Sequence, residues 1–315
     1  MPTRLTVSAD SVASARTRIE ASLFSWPVLE AIVARREAGV SEPKDEALAT
    51  AIAREICSFA APDGSWGGDV LWTAESLLLV QDLVSEPPGW TREIVDAACG
   101  WLLGRVGQPG RFGEGCDPAT HDASLCDHFL PGFFAAGPPD TDLGGMTLAA
   151  GGRFAEDAAA RFGISCLALQ ALLTWKIRDG AIDTHLVGLR GVMHRHSPVS
   201  GSRIGVAAYA LGVAALAEAV HSEPDRIATL AGLTRLSALQ RGDGSWPGVD
   251  LFLVLQVLLR ATRLGHHIDA VDGAIVRSVG ILSLMAGEDG SWGRGTGPER
   301  TLIGFRAFRR SAEIA

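Results

Sequence analysis

At 315 residues, with 47% apolar and 20% charged side chains, the chain has material for one large domain or two small ones. A formal charge of −8 and a pI near 5.5 argue against a non-specific nucleic-acid binder. Five cysteines (Cys57, Cys99, Cys116, Cys126 and Cys166), an odd number with no C-x-x-C pair, argue against a disulfide framework and for a reducing, cytoplasmic setting.

Residues 1–43 read as an N-terminal helical arm. They contain the apolar, helix-like stretch LFSWPVLEAIVARR, and no continuous apolar run before a cleavage site that would mark a signal peptide. From residue 44 onward the chain alternates two kinds of helical stretch. EALATAIAREICSFA and PDRIATLAGLTRLSALQ carry apolar residues on one face, whereas DVLWTAESLLLVQDLV and VDLFLVLQVLLRATRL are apolar almost all round. Amphipathic helices are predicted to start near Pro43, Thr91, Asp140, Asp183, Pro224 and Ile268. The apolar ones start near Asp69, Asp117, Asp157, Ser202, Val249 and Glu299. The stretch after Asp140, DTDLGGMTLAAGG, holds four glycines and reads equally as a long loop, since each glycine costs a helix interior about 1 kcal/mol. The longest apolar runs, such as Leu251 to Leu259, are too short to span a bilayer, though a positive mean hydropathy leaves peripheral lipid contact open.

Between the two kinds of helix lies a recurring turn. APDGSWGG surrounds Trp66, QRGDGSWPG surrounds Trp246 and AGEDGSWGR surrounds Trp292. GQPGRFG places Phe112 at the aromatic position, and AGGRF places Phe154 there more weakly. Trp66 to Phe112 and Trp246 to Trp292 both span 46 residues. Phe112 to Phe154 spans 42, and Phe154 to Trp246 spans 92, two periods with a turn lacking the aromatic near Ser200. Six turns between paired helices predict an all-α fold over residues 44–315, an (α/α)6 barrel (toroid) with amphipathic helices outside and apolar helices inside.

The most complete turn, Gln240-Arg241-Gly242-Asp243-Gly244-Ser245-Trp246, resembles the QW repeat of triterpene and class II diterpene cyclases, and protein prenyltransferase β-subunits carry a related version. The resemblance covers about residues 44–312 and is to a single catalytic-type barrel. It implies an enzyme of isomerase or lyase type that protonates an isoprenoid, a prenyl diphosphate or a polyprene, and cyclises it in an apolar cavity. Such an acid must stay protonated, which burial promotes, and later carbocations need aromatic faces in a dry site.

The resemblance places the acid near the start of an inner helix, in an Asp-x-Asp-Asp-Thr or Ser-Asp-Cys-Thr context. Asp122, in Pro118-Ala119-Thr120-His121-Asp122-Ala123-Ser124, has the right repeat position, with His121 or Cys126 as hydrogen-bonding neighbours. Pro139-Asp140-Thr141-Asp142 has the closer local text, and the choice between Asp122 and the pair Asp140 and Asp142 stays open. Trp72, Phe129, Phe162, Tyr209 and Phe252 lie on inner helices as candidate cavity aromatics. Glu75, Glu156, Asp157, Arg161 and Arg203 lie near inner-helix starts, and Arg161 and Arg203 are the residues suited to a diphosphate. No redox cofactor is implied, and a diphosphate substrate would bring Mg²⁺ with it.

Two other readings remain. Cys116, Asp117, His121, Asp122, Cys126, Asp127 and His128 suggest a zinc-dependent prenyltransferase-like subunit, since prenyltransferases bind zinc through Asp, Cys and His at this end. The spacing, however, matches no compact zinc motif. The incomplete Asp-x-Asp-Asp motif suggests a non-catalytic toroid binding a protein or lipid partner. The basic run Arg306, Arg309, Arg310 reads as a solvated helix end rather than an anion site.

Overall fold

The computed structural model describes residues 7–84, 89–105, 133–137, 141–148, 151–196, 204–219, 222–292 and 297–314. Among them the chain is all-α, with helices α1 (Ala9–Ser25), α2 (Leu29–Ala38), α3 (Asp45–Ser58), α4 (Val70–Leu83), α5 (Gly89–Leu103), α6 (Asp157–Thr174), α7 (Gly180–Arg195), α8 (Gly205–Glu218), α9 (Glu223–Ala238), α10 (Leu251–Arg263), α11 (Asp269–Met285) and α12 (Gly297–Ile314). No helix among the described residues is long and apolar enough to cross a membrane.

Ten of these helices begin within three residues of a predicted start. The inner-helix start at Asp117 and the outer one at Asp140 lie outside the described residues. Residues 141–148, which follow Asp140, form turns and extended chain rather than a helix. Capping explains the sharp starts. Asp69, Asp179 and Asp250 accept hydrogen bonds from the backbone N–H groups of Trp72, Ala181 and Phe252 at 3.0, 2.8 and 2.9 Å.

The N-terminal stretch, expected as a helical arm, holds two helices. Pro27 forces Trp26 into an extended conformation (φ −81°, ψ 139°), which ends α1, and α2 then runs to Gly39 in the left-handed region. Residues 9–38 are therefore a helical hairpin like the others. α1 buries one face through Ala15, Ile19 and Leu23, whereas α2 buries five consecutive residues from Ala31 to Arg35.

The chain divides into two compact units. One comprises Met1–Ala49, Thr147–Gly152 and Leu233–Ala315, the other Thr50–Met146 and Arg153–Gly232. In the first unit α12 packs against α2, α10 and α11, while α1 packs against α2, α11 and α12. The hairpin α1/α2 thus stands beside α11/α12 as the next member of the series. In the second unit α6 lies between α4 and α8, and α8 is buried from Val206 to Ala217 on every side.

The repeated turn works as a seat. Asp243 accepts from the Ser245 N–H (2.9 Å) and Oγ (2.7 Å), and the Trp246 indole donates to the Leu236 carbonyl at 2.7 Å. Asp63, Ser65 and Trp66 repeat this pattern, with the indole on the Ile56 carbonyl at 2.8 Å. The turn glycine then presses on the backbone of another helix. A Cβ on Gly244 would lie 2.6 Å from the Arg277 carbonyl oxygen of α11, and one on Gly64 would lie 2.6 Å from the Ala97 carbonyl oxygen of α5. Gly290, in the last repeat, presses on Arg18 of α1 in the same way, again at 2.6 Å. α1 therefore takes the place against the Gly290 turn that α5 and α11 take against the Gly64 and Gly244 turns. The repeat aromatics have matching seats: Cβ atoms on Gly163 and Gly304 would meet the Phe154 and Trp292 rings at 2.5 Å.

Candidate functional site

The residues singled out in the sequence fall into three groups. Asp122, His121, Cys126, Phe129, Asp140 and Arg203, with the metal-like cluster around them, lie outside the described residues. Asp142 is exposed, and its Oδ1 accepts from the Gly144 N–H at 2.8 Å. Trp72 is 63% exposed in the first turn of α4, whereas Phe162, Tyr209 and Phe252 are buried in α6, α8 and α10.

At the start of α6, Arg161 ties down the chain before the helix. Its Nε pairs with Asp157 at 2.8 Å, and its Nη1 and Nη2 donate to the carbonyls of Gly137 (3.3 Å) and Thr141 (2.6 Å). Asp157 also accepts from the Leu143 N–H at 2.9 Å. Two Arg161 nitrogens thus hold the neighbouring loop. Phe162 packs edge-on against Phe133 at 6.0 Å, and Phe133 in turn stacks on the buried His185 of α7 at 4.9 Å.

Burial pushes the His185 imidazole down to about 3, against a weak opposing pull from Asp179. Its ring stays neutral in the fold, while in the unfolded chain it takes up a proton near pH 6.5. This contribution to stability is complete above about pH 6.5 and is lost as pH falls toward 3, at about 1.4 kcal/mol per pH unit. Glu37, Asp45 and Asp157, held below their ordinary values, add to acid lability only below roughly pH 4.5. Thermal melts between pH 6.5 and 5 should therefore fall more steeply in wild type than in His185→Leu, where the raised Glu30 and Glu299 carboxyls only add stability as pH falls. The same slope in both would assign it to other groups.

A different set of charged groups gathers at helix starts. In the first unit the starts of α2, α10 and α12 carry Glu30, Asp250, Glu299 and Arg300. Asp250 pairs with Arg300 at 2.6 Å, and the Arg300 guanidinium lies over the Phe252 ring, 5.1 Å from its centroid. Phe252 meets Trp292 edge-on at 5.8 Å. The glycine-rich segment ending at Gly152 crosses this pair closely enough that a Cβ on Gly151 would lie 2.6 Å from both Arg300 and Asp250.

Burial pushes the Glu299 carboxyl up, the nearby Glu30 charge pushes it further, and Arg300 opposes both. Burial likewise raises Glu30. Among the described residues these are the two carboxyls displaced upward; the other displaced ones are held down by arginine or serine partners. Sequence reasoning placed Glu299 at an inner-helix start but did not select it. The signal was there: a first-turn acid on a helix packed on most sides.

No protein-family model, curated protein or solved structure matches the chain.

Proposed function

We propose that this chain is a class II terpene cyclase-like enzyme, a toroid of helical hairpins that protonates an isoprenoid and lets the resulting cation close rings in an apolar cavity. The observation that carries this reading is the raised carboxyls of Glu30 and Glu299 at the starts of α2 and α12, where Arg300, the residue after Glu299, lies over the Phe252 ring. The QW-like turns support the same family of architecture.

A carboxyl kept protonated by burial delivers its proton to one alkene carbon, whose π electrons form the new C–H bond. The neighbouring carbon becomes cationic, and the next alkene attacks it to close a ring. The face of Phe252 already holds a positive charge, that of Arg300. Loss of a proton from the final cation to the carboxylate restores the acid. Asp122 is the competing donor, on the strength of the sequence pattern alone.

The test is gas chromatography with mass spectrometry of products from prenyl diphosphates and linear polyprenes of about ten to thirty carbons. Glu299→Gln should slow cyclisation by roughly 10²-fold or more, the usual scale for a general acid, without lowering the melting temperature. If Asp122→Asn abolishes product and Glu299→Gln does nothing, Asp122 is the donor. Stoichiometric zinc with transfer of a prenyl group would favour the prenyltransferase reading. No product from any substrate would leave a non-catalytic toroid.

A further inference from the structure

The last turns of the same three helices, α2, α10 and α12, form a cleft of about 360 Å³ lined by Glu37, Leu259, Thr262, Arg263, His267, Arg306, Arg309, Arg310 and Glu313. Helix C-termini ordinarily repel anions. Here four guanidinium groups reverse the sign.

The arginines are unevenly neutralised. Arg306, whose side chain is 9% exposed, grips Glu37 through Nε (3.0 Å) and Nη2 (2.6 Å), and Arg263 reaches the same carboxylate at 3.0 Å. Burial alone would raise Glu37, yet these arginines hold it below its ordinary value. Arg310 forks onto Asp272 at 2.9 and 3.0 Å. Arg309 donates to the Glu37 backbone carbonyl, a neutral group, and meets Glu313 only at 3.4 Å. Three carboxylates thus face four guanidiniums, in a protein whose formal charge is −8. Arg309 and Arg310 each meet the one Glu313 carboxylate at 3.4 Å, so the surplus is spread over the cluster, and His267, whose Nδ1 lies 3.5 Å from Arg310, adds a ring nitrogen. Arg263 and Arg309 are each 40% exposed, so a ligand can reach them.

We propose that this cleft binds a phosphate-bearing anion, either a soluble organic diphosphate or the headgroup of an anionic lipid, through Arg263, Arg309 and Arg310. The fork of a guanidinium matches two phosphate oxygens, and the mixed wall of Leu259 and Thr262 accommodates the carbon chain attached to either ligand. Around the cleft, Val40, Leu264 and Ile314 expose apolar side chains just beyond or at the ends of α2, α10 and α12. This site is separate from the acids at the other end of these helices, and its binding is read without turnover, so it stands or falls apart from the cyclase reading.

The experiment is calorimetric titration with inorganic pyrophosphate at low salt, with parallel co-sedimentation on phosphatidylcholine vesicles with and without phosphatidic acid. Saturable one-to-one pyrophosphate binding, weakened at least tenfold in Arg263→Gln/Arg309→Gln, supports a soluble diphosphate. Phosphatidic-acid-dependent sedimentation lost in that variant, with no pyrophosphate heat, supports a lipid headgroup. Because both side chains are partly exposed, the variant should melt like wild type. If it melts early, each single variant is measured instead. No binding in either arm, or binding that the substitutions leave unchanged, overturns the proposal.

Discussion

Gly290→Ala and Gly244→Ala should each destabilise the fold by about 2–5 kcal/mol, combining the left-handed penalty with overpacking against a backbone that cannot move aside. Gly290 sits at φ +80° and Gly244 at φ +91°, and each has a helix carbonyl 2.6 Å from where the new methyl must go. Gly39 provides the control. It is equally left-handed at φ +75°, but nothing lies within 4 Å of its Cβ position, so Gly39→Ala carries the conformational penalty alone. Denaturant melts of the three variants separate the two effects. Equal losses in all three would mean that the turn glycines are not seats. In Gly290→Ala, hydrogen exchange should also speed up along α1, because its turn is what holds that helix.

Arg35→Met should cost about 3–5 kcal/mol, the usual penalty for stranding one half of a buried ion pair. Both side chains are nearly inaccessible, at 4% and 5% exposure. The Arg35 Nε donates to Asp45 Oδ2 at 2.9 Å, and its Nη1 donates to the Phe24 carbonyl at 2.7 Å. In the variant the Asp45 carboxylate retains the Glu42 N–H at 2.8 Å but loses its counter-charge. Arg35→Met/Asp45→Leu should recover a large part of the loss, since an apolar pair of similar volume has no charge to desolvate. A double variant as unstable as Arg35→Met would show that packing, not charge, sets the cost. The pair fixes the start of α3 against α2, so the loss should appear in the global melt rather than as local fraying.

The helices were legible because their punctuation is local. Aspartates at 69 and 250 cap the very helices they precede, and Asp-Gly-Ser-Trp marks three of the turns. The α1/α2 hairpin was hidden for the same reason. Its turn retains only Ser25-Trp26-Pro27 and lacks the Asp-Gly of the three best-written turns, so its likeness to the repeat shows in packing rather than text. Arg35 shows the limit of patterning: a charged residue in an apolar run reads as solvated until its partner in α3 is known. Glu30 and Glu299 belong to opposite ends of the sequence, and no spacing rule pairs them. The basic run at 306–310 reads as a helix end on its own helix; Glu37, Arg263 and Asp272 make it a lined cleft.

The contact between α1 and the Gly290 turn also sets an order of events in the cell. Glu37 and its partner Arg306 are 269 residues apart. At ribosomal speeds of about 5–20 residues per second, the first hairpin waits roughly a quarter of a minute to a minute for the helix that covers it. Throughout that interval the faces of Ile19, Leu23, Ile32 and Val33 lack their packing partners from α11 and α12. The emerging chain therefore presents an apolar hairpin face before it presents a finished fold.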